Sequence, residues 1–101
     1  MAKTPEKKVK DAVIEILKRR GVYFFPPVTG GFGRSGIPDI VGCYRGKFIA
    51  IECKAGKNKP TALQLAEMAK IDKAGGKTVW INEEWLCAVE YMLNLIDGEM
   101  V

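Results

Sequence analysis

The sequence contains no histidine. That excludes a Ser-His-Asp triad, a His-Cys zinc site, an H-E-x-x-H metalloprotease and any nuclease with a histidine base. Acid, base and metal chemistry would have to come from carboxylates, lysine and water. Cysteine is scarce, and Cys43, Cys53 and Cys87 form no C-x-x-C pair. Two lie in strand patterns and one in a helical pattern, so all three are expected to be reduced, buried small hydrophobes. No apolar run reaches the roughly 18 residues that a membrane helix needs. The opening Met-Ala-Lys-Thr-Pro-Glu-Lys-Lys lacks the apolar core of a secretory signal. A cytoplasmic protein without a membrane segment is the expectation. Repeats, low-complexity tracts and long linkers are missing too, so residues 1–101 read as a single domain with no appended DNA-binding or partner domain.

Hydrophobic residues make up 48% of the chain, enough for one core, and the net charge of +4 with a pI near 9.0 suits a polyanionic partner. Thr4 as N-cap, Pro5 at the first helical position and Gly21 as terminator predict a helix from Pro5 to Arg20. Val9, Ala12, Val13, Ile16 and Leu17 form its buried stripe. Glu6 extends that stripe by one turn, whereas Glu15 points away from it. An acid answering the helix dipole is the plain reading of Glu6; a functional role is the other.

Val22–Phe25 reads as a short strand, and Pro26-Pro27 marks it as an edge. Gly31, Gly33 and Gly36 match G-x-G-x-x-G, but Pro38 and a strand pattern follow where a dinucleotide site requires a helix. The fingerprint is therefore rejected. A basic, glycine-rich loop beside a phosphodiester backbone remains one reading and an ordinary loop the other.

The centre of the chain is a hairpin, Gly36 to Lys54, turning at Arg45-Gly46. Phe48, Ala50, Glu52 and Lys54 share one face of its second strand; Lys47, Ile49, Ile51 and Cys53 share the other. Both faces are mostly apolar, as in a central strand. If Arg45-Gly46 is a two-residue loop, Tyr44 pairs with Lys47 and Asp39 lies opposite Glu52, with Cβ atoms on the order of 5 Å apart. A glycine bulge would shift that register by one, and Arg is a poor first residue for a type I′ turn. Two opposed carboxylates repel unless a hard divalent ion such as Mg²⁺ or Mn²⁺ lies between them. A lysine one step along suits metal-assisted attack of water on a phosphodiester. A salt bridge of Glu52 with Lys54, and a turn capped by Asp39, is the structural alternative.

Beyond the hairpin, Thr61 and Gln64 match a capping box, Leu65, Met68, Ala69 and Ile71 are the expected buried side of a second helix, and Gly75-Gly76 end it. Thr78–Ile81 is a strand. Asn82 is expected to cap a third helix with Glu83 and Glu84 in its first turn, a stripe of Trp85, Leu86, Val89, Met92, Leu93 and Ile96, and its end at Asp97-Gly98. The order is α-β-β-β-α-β-α, an α/β chain with a small mixed β-sheet flanked by helices. The crossover makes its last strand parallel to the neighbour.

Pro38-Asp39 followed by Glu52-Cys53-Lys54 resembles the PD-(D/E)XK nuclease signature. With Glu6, Gly36-Ile37-Pro38-Asp39, Gln64 and the Gly75–Trp80 segment, the chain resembles the virus-type replication-repair nuclease (VRR-NUC) family over Glu6 to Ile81. The resemblance implies a restriction-endonuclease-like fold. It implies that Asp39, Glu52 and the Cys53 backbone carbonyl bind Mg²⁺, with Mn²⁺ as substitute. Lys54 would orient or deprotonate water, and Glu6 and Gln64 would support the metal and water shell; Gln64 has its capping role as rival. Stand-alone phage-type members imply a homodimer cutting branched DNA, including Holliday junctions, and two symmetric cuts match a C2 dimer. The aromatic run Tyr23–Phe25 or the third helix could supply the interface, with most of these aromatics expected in the core. Arg34, Arg45, Lys47, Lys57 and Lys59 are expected to cluster near the site and contact phosphates without reading sequence. A sequence-specific restriction-type endonuclease and a basic DNA-binding module without catalysis are the competing functions.

Overall fold

The computed structural model describes residues 3–28 and 35–99. Seven elements follow in the expected order: α1 (Pro5–Arg19), β1 (Tyr23–Phe25), β2 (Ile40–Tyr44), β3 (Lys47–Cys53), α2 (Ala62–Lys73), β4 (Lys77–Ile81) and α3 (Cys87–Glu99). The four strands form one sheet in sequence order, antiparallel from β1 to β3, with β4 parallel to β3. The edge position of β1 and the central position of β3 match the expectation. Among the described residues no helix is long and apolar enough to cross a membrane.

One face of the sheet carries the core. Ile40, Ile49, Ile51, Cys53 and Ile81 meet Val9, Val13, Ile16 and Leu17 of α1 and Val89, Met92, Leu93 and Ile96 of α3. The period-two side chains of β3 and the helical stripes of α1 and α3 thus close on one another. α1 begins as its capping residues dictate, with the Thr4 hydroxyl accepting from the Lys7 N–H at 3.1 Å. Arg20 at its end joins α1 to α3, bonding Glu90 at 3.3 Å, Asn94 at 2.9 Å and Asp97 at 3.1 Å.

The opposite face is covered by α2, and here several expectations are corrected. Glu67 and Met68 are the buried residues of α2, while Leu65 and Ala69 are exposed and Ile71 is half-buried. Met68 is thus buried as expected, but Leu65 and Ala69 do not mark the contact side of the helix, which buries Glu67 instead. Asn82 does not cap a helix. Its side-chain oxygen accepts from the Glu84 N–H at 2.9 Å in a local turn, and α3 starts only at Cys87 and runs through Gly98 to Glu99. Trp85 consequently lies outside the helical stripe and is exposed. Cys43 and Cys87 are exposed; only Cys53 is buried. Of the first aromatic run only Phe24 packs on the core; Tyr23 is 70% exposed and Phe25 also faces outward. A strand of three residues at a sheet edge has a single inward position to offer.

Candidate active site

The hairpin holds the straightforward register. Tyr44 faces Lys47 and Ile40 faces Ile51, so the next step outward sets Asp39 against Glu52. The turn achieves this with positive φ at both central residues, 52° at Arg45 and 84° at Gly46, as a type I′ geometry requires. Among the described residues Arg45 is the non-glycine residue that accepts this conformation.

At the other end of the hairpin the ladder gives way to the site. Asp39 Oδ2 accepts from the Cys53 N–H at 2.8 Å. The N–H and C=O of one residue leave a strand on the same side. Cys53 therefore directs its carbonyl towards β2 as well, where the register would set Pro38 opposite it. Proline has no N–H to donate. A carboxylate thus replaces the ladder acceptor, and the carbonyl receives no ladder donor from Pro38. On the other side of β3 the Lys54 N–H donates to the Ile81 carbonyl at 2.9 Å, fixing the start of the Lys54 side chain.

Glu52 is the anomaly. Its side chain is 1% exposed, and Oε2 is buried with no hydrogen-bond partner. An unsatisfied buried carboxylate oxygen is costly. Burial pushes its pKa up to about 9, helped by the Asp39 carboxylate and more weakly by Glu6, against the opposing charge of Lys54. Burial also pushes the Cys53 thiol up to about 12, with Asp39 and Glu52 adding to it, so it is no nucleophile. The donor set fits a hard divalent cation: two opposed carboxylates, one orphaned oxygen and one carbonyl, all oxygen. Among the described residues no three His, Cys, Asp or Glu side chains group closely enough to form a full cage. Mg²⁺ suits such a partial set, because it keeps several waters.

Glu6 lies in the first turn of α1, exposed rather than on the buried stripe, with its charge felt at both Glu52 and Cys53. Lys10, one turn further on and half-buried, acts on the Cys53 thiol in the opposite sense. Sequence reasoning passed over Lys10; its i+4 spacing from Glu6 was the available signal. Gln64 is in its capping box: its side-chain oxygen accepts from the Thr61 N–H at 2.9 Å, and Thr61 Oγ1 accepts from the Gln64 N–H at 3.2 Å.

Gly36 brings the Asp39 loop to that same helix start. A Cβ there would lie 2.5 Å from the Leu63 carbonyl oxygen and 3.0 Å from the Gln64 nitrogen, and φ is +83°. Gly36→Ala should therefore cost about 2 kcal/mol, or roughly 10 °C in Tm, and weaken Mg²⁺ binding as Asp39 is displaced. Thermal unfolding with and without Mg²⁺ measures both.

The proposed phosphate contacts do not form one cluster. Arg45 and Lys47 sit at the turn end of the hairpin, roughly 20 Å along β3 from Glu52 at about 3.3 Å per residue. There they pair with the end of α3, Arg45 with Asp97 at 3.3 Å and Lys47 with Glu99 at 3.7 Å. The two ends of one strand cannot serve one small site. Lys57 and Lys59 are exposed in the loop after β3, at the Glu52 end. That loop is tied to the turn after β4 by the Gly56 N–H donating to Glu83 at 2.9 Å. Arg34, like Gly31 and Gly33, lies outside the described residues.

No protein-family model matches the chain. A stretch of 58 residues is 38% identical to "Putative nuclease p44" of Acyrthosiphon pisum secondary endosymbiont phage 1. The match covers 56% of this chain and 62% of that protein, so the chain spans about three-fifths of its relative. A solved structure described as a VRR_NUC domain superposes with a TM-score of 0.70 at 22% identity, covering 88% of this chain and 97% of the other. The α/β fold is thus that of a VRR_NUC domain, as the resemblance implied.

Proposed function

We propose that the chain is a nuclease of the VRR-NUC family, a Mg²⁺-dependent endonuclease that hydrolyses phosphodiester bonds in branched DNA and resolves Holliday junctions as a homodimer. The observation that carries this reading is the buried Glu52, its Oε2 orphaned and its partner across the hairpin another carboxylate. Without a cation such a pair keeps a proton on Glu52, and a divalent ion can take that proton's place. The phage protein sharing 38% identity bears a nuclease name, which supports the same class.

In this reading Asp39, Glu52 and the Cys53 carbonyl hold the ion. When bound, it would act as a Lewis acid towards water and a phosphate oxygen. Asp39 is held by its bond from the Cys53 N–H, so the two carboxylates keep a fixed separation. Lys54, next on the Glu52 face, orients or deprotonates the attacking water and supports the developing phosphate charge. The water oxygen bonds to phosphorus as its proton passes to Lys54 or to solvent, the P–O bond to the departing sugar breaks, and the departing oxygen takes up a proton from a solvent water. Glu6 at the rim contributes to the water shell through its charge. Gln64 sits beside the Asp39 loop, with its oxygen already used in the cap. Lys57 and Lys59 contact phosphates flanking the cut, and contacts of this kind select DNA shape rather than sequence. Two copies related by a two-fold axis would deliver the paired cuts that a four-way junction needs.

The test is cleavage of an end-labelled four-way junction beside a linear duplex of the same arms, in Mg²⁺ and in EDTA. Paired symmetric cuts in the junction, dependent on Mg²⁺, are expected. Site-dependent cuts in the linear duplex would instead mark a restriction-type enzyme. Tight binding without cleavage in Mg²⁺ or Mn²⁺ would leave only a DNA-binding module.

A further inference from the structure

Trp80 stands beside the carboxylate site and has no role in the chemistry above. In the parallel pairing of β3 and β4 it is the register partner of Glu52. Register partners share a face, with backbones about 5 Å apart. The indole therefore lies on the same side of the sheet as Glu52, one strand over. Its environment differs sharply from its neighbour's, for Glu52 is buried while Trp80 is 37% exposed. Its own chain neighbour Ile81 is fully buried in the core on the opposite face.

A tryptophan that serves only as packing usually buries its ring and pairs its N–H. Among the described residues the Trp80 indole has neither a hydrogen-bond partner nor an aromatic neighbour. Glu52 on β3 lies between Asp39 on the β2 side and Trp80 on β4, so the partly exposed tryptophan flanks the carboxylate pair on the side away from Asp39.

We propose that Trp80 is a stacking platform for a nucleobase next to the phosphate held at Asp39 and Glu52, so that the site prefers DNA in which that base is unpaired or splayed out, as at a branch point. This rests on the nuclease reading and deepens it, naming a residue that selects the substrate. Stacking is indifferent to base identity, because every base has a π-face, but it demands that the base leave its duplex neighbours. Selection of structure over sequence follows from that demand.

The chain has two tryptophans, so Trp85→Phe leaves Trp80 as the sole indole. In that background, a four-way DNA junction titrated in Ca²⁺ should quench Trp80 emission by about half or more. Anisotropy of the labelled junction gives binding in the same samples. Trp80→Phe should hold the junction within about threefold of wild type, whereas Trp80→Leu, similar in apolar character but without a π-face, should weaken it about tenfold. Linear duplex should be nearly unaffected by either change. Thermal unfolding of both variants separates this loss from misfolding. Unquenched emission with junction binding intact overturns the stacking role and leaves the nuclease reading standing, as does equal loss for junction and duplex. Failure of the wild-type protein to bind or cut any DNA overturns both.

Discussion

Glu52→Gln is expected to abolish Mg²⁺-dependent cleavage, by at least about 10³-fold, while making the metal-free protein more stable. The sign follows from the pKa. In the folded chain Glu52 holds its proton up to about pH 9, whereas in the unfolded chain it releases it near the ordinary glutamate value of about 4.3. Between those limits the folded state binds more protons than the unfolded one, so this group lowers stability as pH rises through the window. Below about pH 4 and above about pH 9 it contributes no slope. Glutamine keeps the shape and carries no charge to desolvate. At pH 8 in EDTA the variant should gain on the order of 2 kcal/mol, about 10 °C in Tm for a domain of this size. Mg²⁺ should reverse the ranking, since ion binding expels the proton and stabilises the wild-type protein by mass action. Thermal unfolding monitored by circular dichroism from pH 5 to pH 9, with EDTA or Mg²⁺, reads all of this. A variant no more stable than wild type in EDTA at pH 8 would sink the account of Glu52 as a strained ligand.

Lys54→Ala should produce the opposite profile, a loss of about 10³-fold in kcat with Tm nearly unchanged. The backbone of Lys54 is held to β4 through its N–H, a bond that alanine retains. Its side chain is only half-buried, so truncation leaves no large void. KM for junction DNA should rise little, because the phosphate contacts proposed for Lys57 and Lys59 would remain. Lys54→Arg separates the two roles of the ammonium. Arginine supplies charge but cannot give up its proton. Partial rescue would identify charge stabilisation as the role, and none would identify proton transfer or the exact reach of the lysine. Single-turnover cleavage of a labelled junction supplies the rates. Wild-type rates in Lys54→Ala would remove this residue from the mechanism.

The pairing of Asp39 with Glu52 was legible as one of two registers, because a hairpin is a local object, and the structure selects it. Two apolar runs with period-two faces and a two-residue turn determine which residues oppose one another. Arg45 looked unfavourable in that turn, yet the strands on either side hold it at a positive φ of 52°. Strand pairing outweighed turn preference. The first helix was legible for a similar reason, since Thr4, Pro5 and the stripe through Leu17 all act within one element.

Features made by contact between distant elements were read less well. The buried side of α2 was read only in part, because hydrophobic residues were taken to mark it: Met68 is buried as expected, but Leu65 and Ala69 are not. The helix buries Glu67 and Met68 while Leu65 stays in solvent. Arg45 and Lys47 were grouped with the site because they flank the hairpin in sequence. In space they occupy the end remote from Glu52 and pair with Asp97 and Glu99. The start of α3 was set too early because Asn82 satisfies its local N–H in a turn as readily as in a cap.

The sequence by itself therefore determined the element order and the three charged residues at the open end of the hairpin, because each depends on neighbours a few residues apart; the register stayed open between a two-residue loop and a bulge, and the pairing of the strands decided it. Only the tertiary structure decided the state of those charges. Burial raises Glu52 and orphans its oxygen, Pro38 withholds a donor from the Cys53 carbonyl, and the crossover sets Trp80 alongside. Desolvation depends on everything packed around a group, and no stretch of sequence around Glu52 contains that information.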